Sequence, residues 1–285
     1  MAKQFKPLTL MLTVALAVMG DWQAPVLAEE NTKTDTFTFV QLCDPQLGFG
    51  GYEHDVASLK QAVKRVNALK PDFVVICGDL VNTPDDKSFN DFNRIKDGFT
   101  IPCYCVPGNH DIGGKPTAAS LARYREVVGR DRYAFTHKGY TFVITNTQLW
   151  KAPLKGESQK HDAWVTQTLQ GAKKKNSPVF IASHHPLFLK ASDEKDEYFN
   201  LPLAKRKEIL SLYKQSGVVA VLGGHTHKTI INNYQGIQLV NGEATSRHFD
   251  KRPLGFRLWH VASPASITHE FVPIKEATHT VNMGR

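Results

Sequence analysis

Cys105-Val106-Pro107-Gly108-Asn109-His110-Asp111 is the stretch on which the reading of this 285-residue chain turns. An apolar run ends there, and an amide, an imidazole and a carboxylate follow in succession. Pro107 fixes φ and Gly108 lifts the steric limit, so a tight turn delivers three polar side chains at set angles instead of alternating them across a sheet. Taken alone, the string is equally an ordinary Pro-Gly-Asn turn with a histidine beside it. Its weight comes from the pattern on either side.

Upstream, residues 37–43 read as a β-strand ending in Asp44-Pro45-Gln46, followed by a glycine-rich loop with Gly48, Gly50 and Gly51. Asp55 then reads as the cap of a helix in which Val56, Leu59, Val63 and Val66 recur at helical spacing until Pro71. Residues 73–77 form the next strand, ending in Gly78-Asp79-Leu80, and a polar helical segment near 86–97 precedes the strand that enters the central turn. Downstream, strands are expected at 140–145 and 179–182, the second ending in Ser183-His184-His185-Pro186, with helices near 162–171 and 203–215. Residues 218–222 run into Gly223-Gly224-His225-Thr226-His227, and segments 237–240, 256–261 and 267–272 read as antiparallel strands. Alternating βαβ units first and hairpins last predict an α/β fold: a four-layer α-β-β-α sandwich of two mixed sheets flanked by helices. Ligands of such sheets collect at the carboxyl ends of strands, which is where the polar clusters lie. No internal repeat or second-domain linker is visible.

The clusters contribute Asp44, Gln46, Asp79, Asn109, His184, His225 and His227: two carboxylates, two amide oxygens and three imidazoles. That hard-to-borderline set, with one carboxylate able to bridge, suits two divalent cations of the Mn, Fe or Zn kind, and the lack of a thiolate argues against a structural zinc site. Two carboxylates against two dications leave net positive charge, which favours hydroxide over water and holds an anionic phosphate. Singly, each residue has a plainer reading. Asp79 could be a turn residue, His184 a core histidine beside a proline, and His225 and His227 a strand-end pair. Recurrence at five strand ends is what favours the metal centre.

The ordered series DPQ, GDL, GNHD, HHP and GHTH resembles the calcineurin-like metallophosphoesterases from residue 38 to about 260. The strings GNHDIGGKPT, HHPLFL, YFNL and GFR look like the branch containing the calcineurin-like phosphoesterase-domain serine/threonine phosphatases. The resemblance implies that Asp44, Gln46 and His227 hold one metal, that Asn109, His184 and His225 hold the other, and that Asp79 bridges both. It also implies that His110 reaches the phosphate or the leaving-group oxygen while Asp111 orients it. Many members have histidine where Gln46 stands, and an amide oxygen is the weaker ligand. The implied activity is hydrolysis of phosphomonoesters, phosphoproteins among them, by attack of a metal-bound hydroxide. The alternatives are a phosphodiesterase for cyclic nucleotides or glycerophosphodiesters, and a non-catalytic binding module on the same fold, whose mark would be missing ligands.

Residues 1–28 read as a secretory signal: Lys3 and Lys6 precede an apolar run from Leu8 to Met19, and Val26-Leu27-Ala28 suits a peptidase. The run is shorter than the roughly 20 residues a bilayer needs, although an uncleaved anchor is the alternative. The expectation is therefore an exported domain over 29–285, periplasmic or secreted, with no membrane contact after cleavage. The formal charge of +8 is spread over segments such as Lys173-Lys174-Lys175 and Lys205-Arg206-Lys207 with no interleaved aromatics. These read as solvated faces first and as electrostatic help for an anionic substrate second, and no nucleic-acid partner is expected. Cys43, Cys77, Cys103 and Cys105 lack metal or redox spacing and read as small buried hydrophobes. His54, His137, His161, His248, His260, His269 and His279 read as surface or packing residues. The glycine loop reads as a mobile edge of the site, residues 192–198 as a solvated loop that could cover it, and Arg247 and Arg257 as weak candidates for substrate anion contacts.

Overall fold

Alternation along the first strand sets the layering. In β1 (Phe37–Leu42), Phe37 and Phe39 point to one side and Val40 and Leu42 to the other, each into a separate hydrophobic cluster. A strand buried on both faces needs a layer on each, so β1 lies inside a sandwich. The computed structural model describes residues 36–275; the expected signal over 1–28 and His279 lie outside them.

After β1 come α1 (Tyr52–Leu69), β2 (Phe73–Cys77), α2 (Asp86–Lys96), β3 (Cys103–Val106), α3 (Asn109–Ile112), α4 (Ala118–Val127), β4 (Tyr133–His137) and β5 (Tyr140–Ile144). Then follow α5 (Gln148–Lys151), α6 (Glu157–Lys174), β6 (Val179–Ala182), α7 (Leu203–Gln215), β7 (Val218–Gly223), β8 (Ile230–Tyr234), β9 (Ile237–Asn241), β10 (Gly255–Ser263) and β11 (Ser266–Pro273). A five-stranded sheet has the order β11-β10-β1-β2-β3 and a six-stranded sheet the order β4-β5-β6-β7-β9-β8. Helices α1, α2 and α4 cover the first sheet through Leu59, Val63, Phe89, Phe92 and Leu121. Helices α6 and α7 cover the second through Val165, Leu169, Ile209 and Tyr213. This is the expected four-layer sandwich.

Between the sheets lies an aromatic core. Phe39 stacks on Phe73 at 5.1 Å and on Trp259 at 5.6 Å, while Phe142 of β5 stacks on Phe180 of β6 at 4.8 Å. Gln41 is buried among them with every polar atom engaged. Its Nε2 donates to the carbonyls of Gly223 and Val240 in the opposite sheet, and its Oε1 accepts from Trp259 Nε1. One side chain on β1 thereby ties both sheets beside the strand ends that carry the site.

Several expectations need correction. Asp55 is not a helix cap, since α1 starts at Tyr52; its Oδ2 accepts from the backbone N–H groups of Gly48 and Gly50, so the glycine loop is held to the helix. The central turn continues into a helical turn, α3. Strand β9 runs parallel to β7 and pairs antiparallel only with β8, a strand additional to those expected. Elements α4, β4 and α5 are further additions to the expected order. Arg206, read within a solvated basic run, is fully buried. The cysteines are free; Cys43, Cys77 and Cys105 are buried and Cys103 partly so. No described helix is long and apolar enough to cross a membrane.

Candidate metal centre

Four parallel strands end together where the sheets meet. Asp44 and Asp79 each lie two residues beyond β1 and β2, His184 and His225 two beyond β6 and β7, and Asn109 opens α3 after β3. The backbone there is unusual. Asp44, Gln46, Asp79, His225 and His227 all adopt positive φ, at 48°, 35°, 45°, 70° and 49°. Such left-handed, non-glycine residues persist only where surrounding structure enforces them, and they concentrate at functional sites.

Glycines let the loops approach this closely. A Cβ on Gly108 would sit 2.1 Å from Asp79 Oδ1, one on Gly78 2.4 Å from His184 Nδ1, and one on Gly224 2.7 Å from Asp44 Oδ2. Backbone donors then fix the carboxylates: His225 N–H donates to both Asp44 oxygens at 3.0 Å, and His110 N–H to Asp79 Oδ1 at 2.9 Å.

Two of the three histidines are held by their outer nitrogens. His184 Nδ1 donates to the Cys77 carbonyl at 2.9 Å, leaving Nε2 at 3.0 Å from Asn109 Oδ1 and 3.4 Å from Asp79 Oδ1. His227 Nδ1 donates to the Arg247 carbonyl at 2.6 Å, leaving Nε2 at 3.9 Å from Asp44 Oδ1. A carbonyl on the far nitrogen is the usual device for fixing the tautomer and aim of a ligating imidazole. Asp79, His184 and His225 present ligand atoms within 4.8 Å of one another, all buried.

Two atoms test whether this set fits a metal. Gln46 donates its Nε2 to Asn82 Oδ1, so the amide orientation is fixed, and its Oε1 is buried with no partner. His225 Nε2 is likewise buried and unpartnered. Buried polar atoms left unmatched cost free energy unless something binds them. Both belong to residues at the group of strand ends that carries Asp44 and Asp79, so the donor set fits divalent cations.

The profile of the calcineurin-like phosphoesterases matches residues 15–229. The chain belongs to the calcineurin-like phosphoesterase family. It is 31% identical to the human serine/threonine-protein phosphatase CPPED1 across 84% of each chain. It is 24% identical to the 3',5'-cyclic adenosine monophosphate phosphodiesterase CpdA of Haemophilus influenzae, covering 80% of this chain and 84% of that protein. A dimetal phosphatase from Danio rerio superposes with a TM-score of 0.58 at 15% identity, covering 82% of this chain and 98% of that one, a likeness of fold. The family implies a dinuclear divalent metal site, and the chain is a metal-dependent phosphoester hydrolase.

Charges in this phosphoesterase are set against one another. Burial opposes a charged His184 ring, but Asp79 and Asp44 outweigh it and hold the pKa up at about 10. Burial works against the Asp79 carboxylate too, yet His184 and the other rings keep it well below the usual carboxylate range. Burial and the charge of His184 push His225 down to about 3. Burial raises the Asp44 carboxyl above its ordinary range despite His227 and His184 beside it, so this carboxylate still wants positive charge, the environment of a cation site.

One expected role falls elsewhere. Asp111 does not hold His110: its Oδ1 accepts from the N–H groups of Leu80 and Val81 and its Oδ2 from Gly108, stapling the Asp79 turn to the Asn109 turn. The His110 ring is held through Nδ1 by the Asn82 carbonyl at 3.0 Å. Arg257 is no anion contact either; it is buried, with Nη2 2.7 Å from Glu243 Oε1 and Nη1 2.8 Å from His269 Nδ1.

The sequence reading missed Asn82, which joins Gln46 to His110, and His185, whose buried ring lies 4.3 Å from that of His225 and is held by the Thr147 hydroxyl. The duplicated histidine of HHP was the available signal for His185; nothing marked Asn82. Residues 192–198 do reach the site: the Tyr198 ring lies 5.1 Å from His225.

Proposed function

We propose that the chain hydrolyses phosphate monoesters at two divalent cations, one held by Asp44, Gln46 and His227, the other by Asn109, His184 and His225, with Asp79 between them. The observation that carries this is the pair of buried, unpartnered ligand atoms, Gln46 Oε1 and His225 Nε2, at the same group of strand ends as the buried cluster of Asp79, His184 and His225. Cations bound there supply Lewis acidity that activates water and neutralises the phosphate.

The protein's own residues do the rest. Backbone hydrogen bonds fix Asp44 and Asp79 before substrate arrives, so no reorganisation is needed as charge develops. His110 donates its Nδ1 hydrogen to the Asn82 carbonyl, so the ring in its doubly protonated form has Nε2–H free to give a proton to the departing ester oxygen, ending as the neutral Nδ1–H imidazole. Asp111 keeps the turns bearing Asp79 and Asn109 in register.

The similarity to a serine/threonine phosphatase at 31% identity supports monoesters, phosphoproteins included, and the 24% similarity to a cyclic nucleotide phosphodiesterase supports diesters as the second reading. Manganese-loaded protein should turn over p-nitrophenyl phosphate well ahead of bis(p-nitrophenyl) phosphate. The reverse order selects the diesterase, and no turnover of either with Mn²⁺, Fe²⁺ or Zn²⁺ removes the hydrolase reading. We also infer export directed by residues 1–28; amino-terminal sequencing of the protein from intact cells should find a start near residue 29.

A further inference from the structure

Three large hydrophobic side chains are exposed among the described residues, and two of them stand on histidines of the metal centre: Tyr198 at 63% and Phe249 at 44%. The Phe249 ring lies over His227 at 5.0 Å and 27°, with Phe49 4.9 Å from the same imidazole and 6.0 Å from Phe249. Over His225 the pattern repeats, with Tyr198 at 5.1 Å and Phe199 at 5.4 Å.

Covering an imidazole does not by itself require an exposed ring. Trp150 lies 4.9 Å from the buried His161 and is 3% exposed. Nor are the two exposed rings on unsupported chain. Phe249 N–H donates to the His227 carbonyl at 2.9 Å. The loop bearing Tyr198 is held by buried Arg206, which donates to the carbonyls of Ser192, Glu194 and Leu201, and by Lys151, which donates to those of Glu197 and Asn200. The structure thus holds two aromatic faces in water beside the reacting centre, at a cost in hydration, and such faces favour planar apolar partners.

We propose that Phe249 and Tyr198 bind a planar aromatic ring carried by the ester oxygen of the substrate, so that phosphate esters of aromatic groups are preferred over those of aliphatic alcohols. The proposal rests on the phosphoesterase activity and deepens it to a substrate class. The ring can be bonded directly to the ester oxygen, as in a phenol, or sit one sugar away, as in a nucleoside.

The test compares kcat/KM for phenyl phosphate, adenosine 5′-monophosphate and glycerol 2-phosphate in manganese-loaded full-length protein and in Phe249→Ala and Tyr198→Ala. Turnover by the wild-type protein establishes the underlying activity independently. In each variant the ratio of an aromatic substrate to glycerol 2-phosphate should fall roughly threefold to tenfold, the scale of one aromatic contact. Phe249→Trp and Tyr198→Phe should restore the ratio, and bound metal per chain should separate loss of the ring from loss of a ligand. A fall with phenyl phosphate alone identifies phenolic esters, and a fall with the nucleotide alone identifies nucleosides. Parallel losses on all three substrates, an unchanged ratio in both variants, or a loss of metal that accounts for the change would overturn the proposal.

Discussion

At the scale of single residues, Gln46 stands where many members of the family have histidine, and Asn82 is what makes an amide workable there. An amide can present either oxygen or nitrogen, and only the oxygen is a ligand. Asn82 Oδ1 takes the Gln46 Nε2 hydrogen at 3.3 Å, which commits the oxygen to the site. Asn82→Ala removes that commitment but keeps the backbone carbonyl that holds His110. The Mn²⁺ concentration for half-maximal rate should therefore rise about 10- to 100-fold, the usual cost of losing a ligand's support. Metal titration of the rate reads this directly, and an unchanged midpoint would show that Gln46 needs no such partner.

At the scale of elements, the loop 189–202 between β6 and α7 owes its shape to charged side chains that sequence patterning misreads. Glu194 accepts from the N–H groups of Leu189, Lys190 and Ala191, and Arg206 spends its guanidinium on loop carbonyls instead of a carboxylate. Helix α7 was legible to its ends, whereas the burial of Arg206 was not, because a Lys-Arg-Lys run looks the same whether its middle member faces water or backbone. The same limit hid β4 and β8, whose half-buried alternation lacks a strong apolar face, while the fully buried β2 and β6 were legible to the residue. Likewise the ligands were legible because strand ends concentrate polar residues, but Asn82 and the aromatic faces act through contacts distant in sequence. Arg206→Met keeps the aliphatic stem and removes the donors. It should lower stability by about 1.5–3 kcal/mol in urea unfolding and speed amide exchange across 189–202 ahead of the rest of the chain. Uniform exchange throughout would mean that the guanidinium supports the domain and not the loop.

At the scale of the whole molecule, the metal centre sits on the seam between the two sheets. Asp44 and Asp79 come from the carboxyl ends of one, His184 and His225 from those of the other, and Gln41 bridges the same strands a few residues below. Buried carboxylates repel one another and are expensive to desolvate. Cations that engage both sheets' ligands remove that cost in the folded state alone, because the unfolded chain does not assemble the site. Binding should then appear as stability. At a metal concentration 100 times the dissociation constant the gain is about 2.7 kcal/mol, and a domain of this size shifts by roughly 2–4 °C per kcal/mol. Chelator-stripped protein should consequently melt roughly 5–10 °C below the same protein with saturating Mn²⁺. Asp79→Asn loses the shared carboxylate, so most of that difference should vanish in the variant while its stripped form stays folded. Equal melting temperatures with and without metal would place the cations on the surface of the fold, and an undiminished shift in Asp79→Asn would remove Asp79 from the position between them.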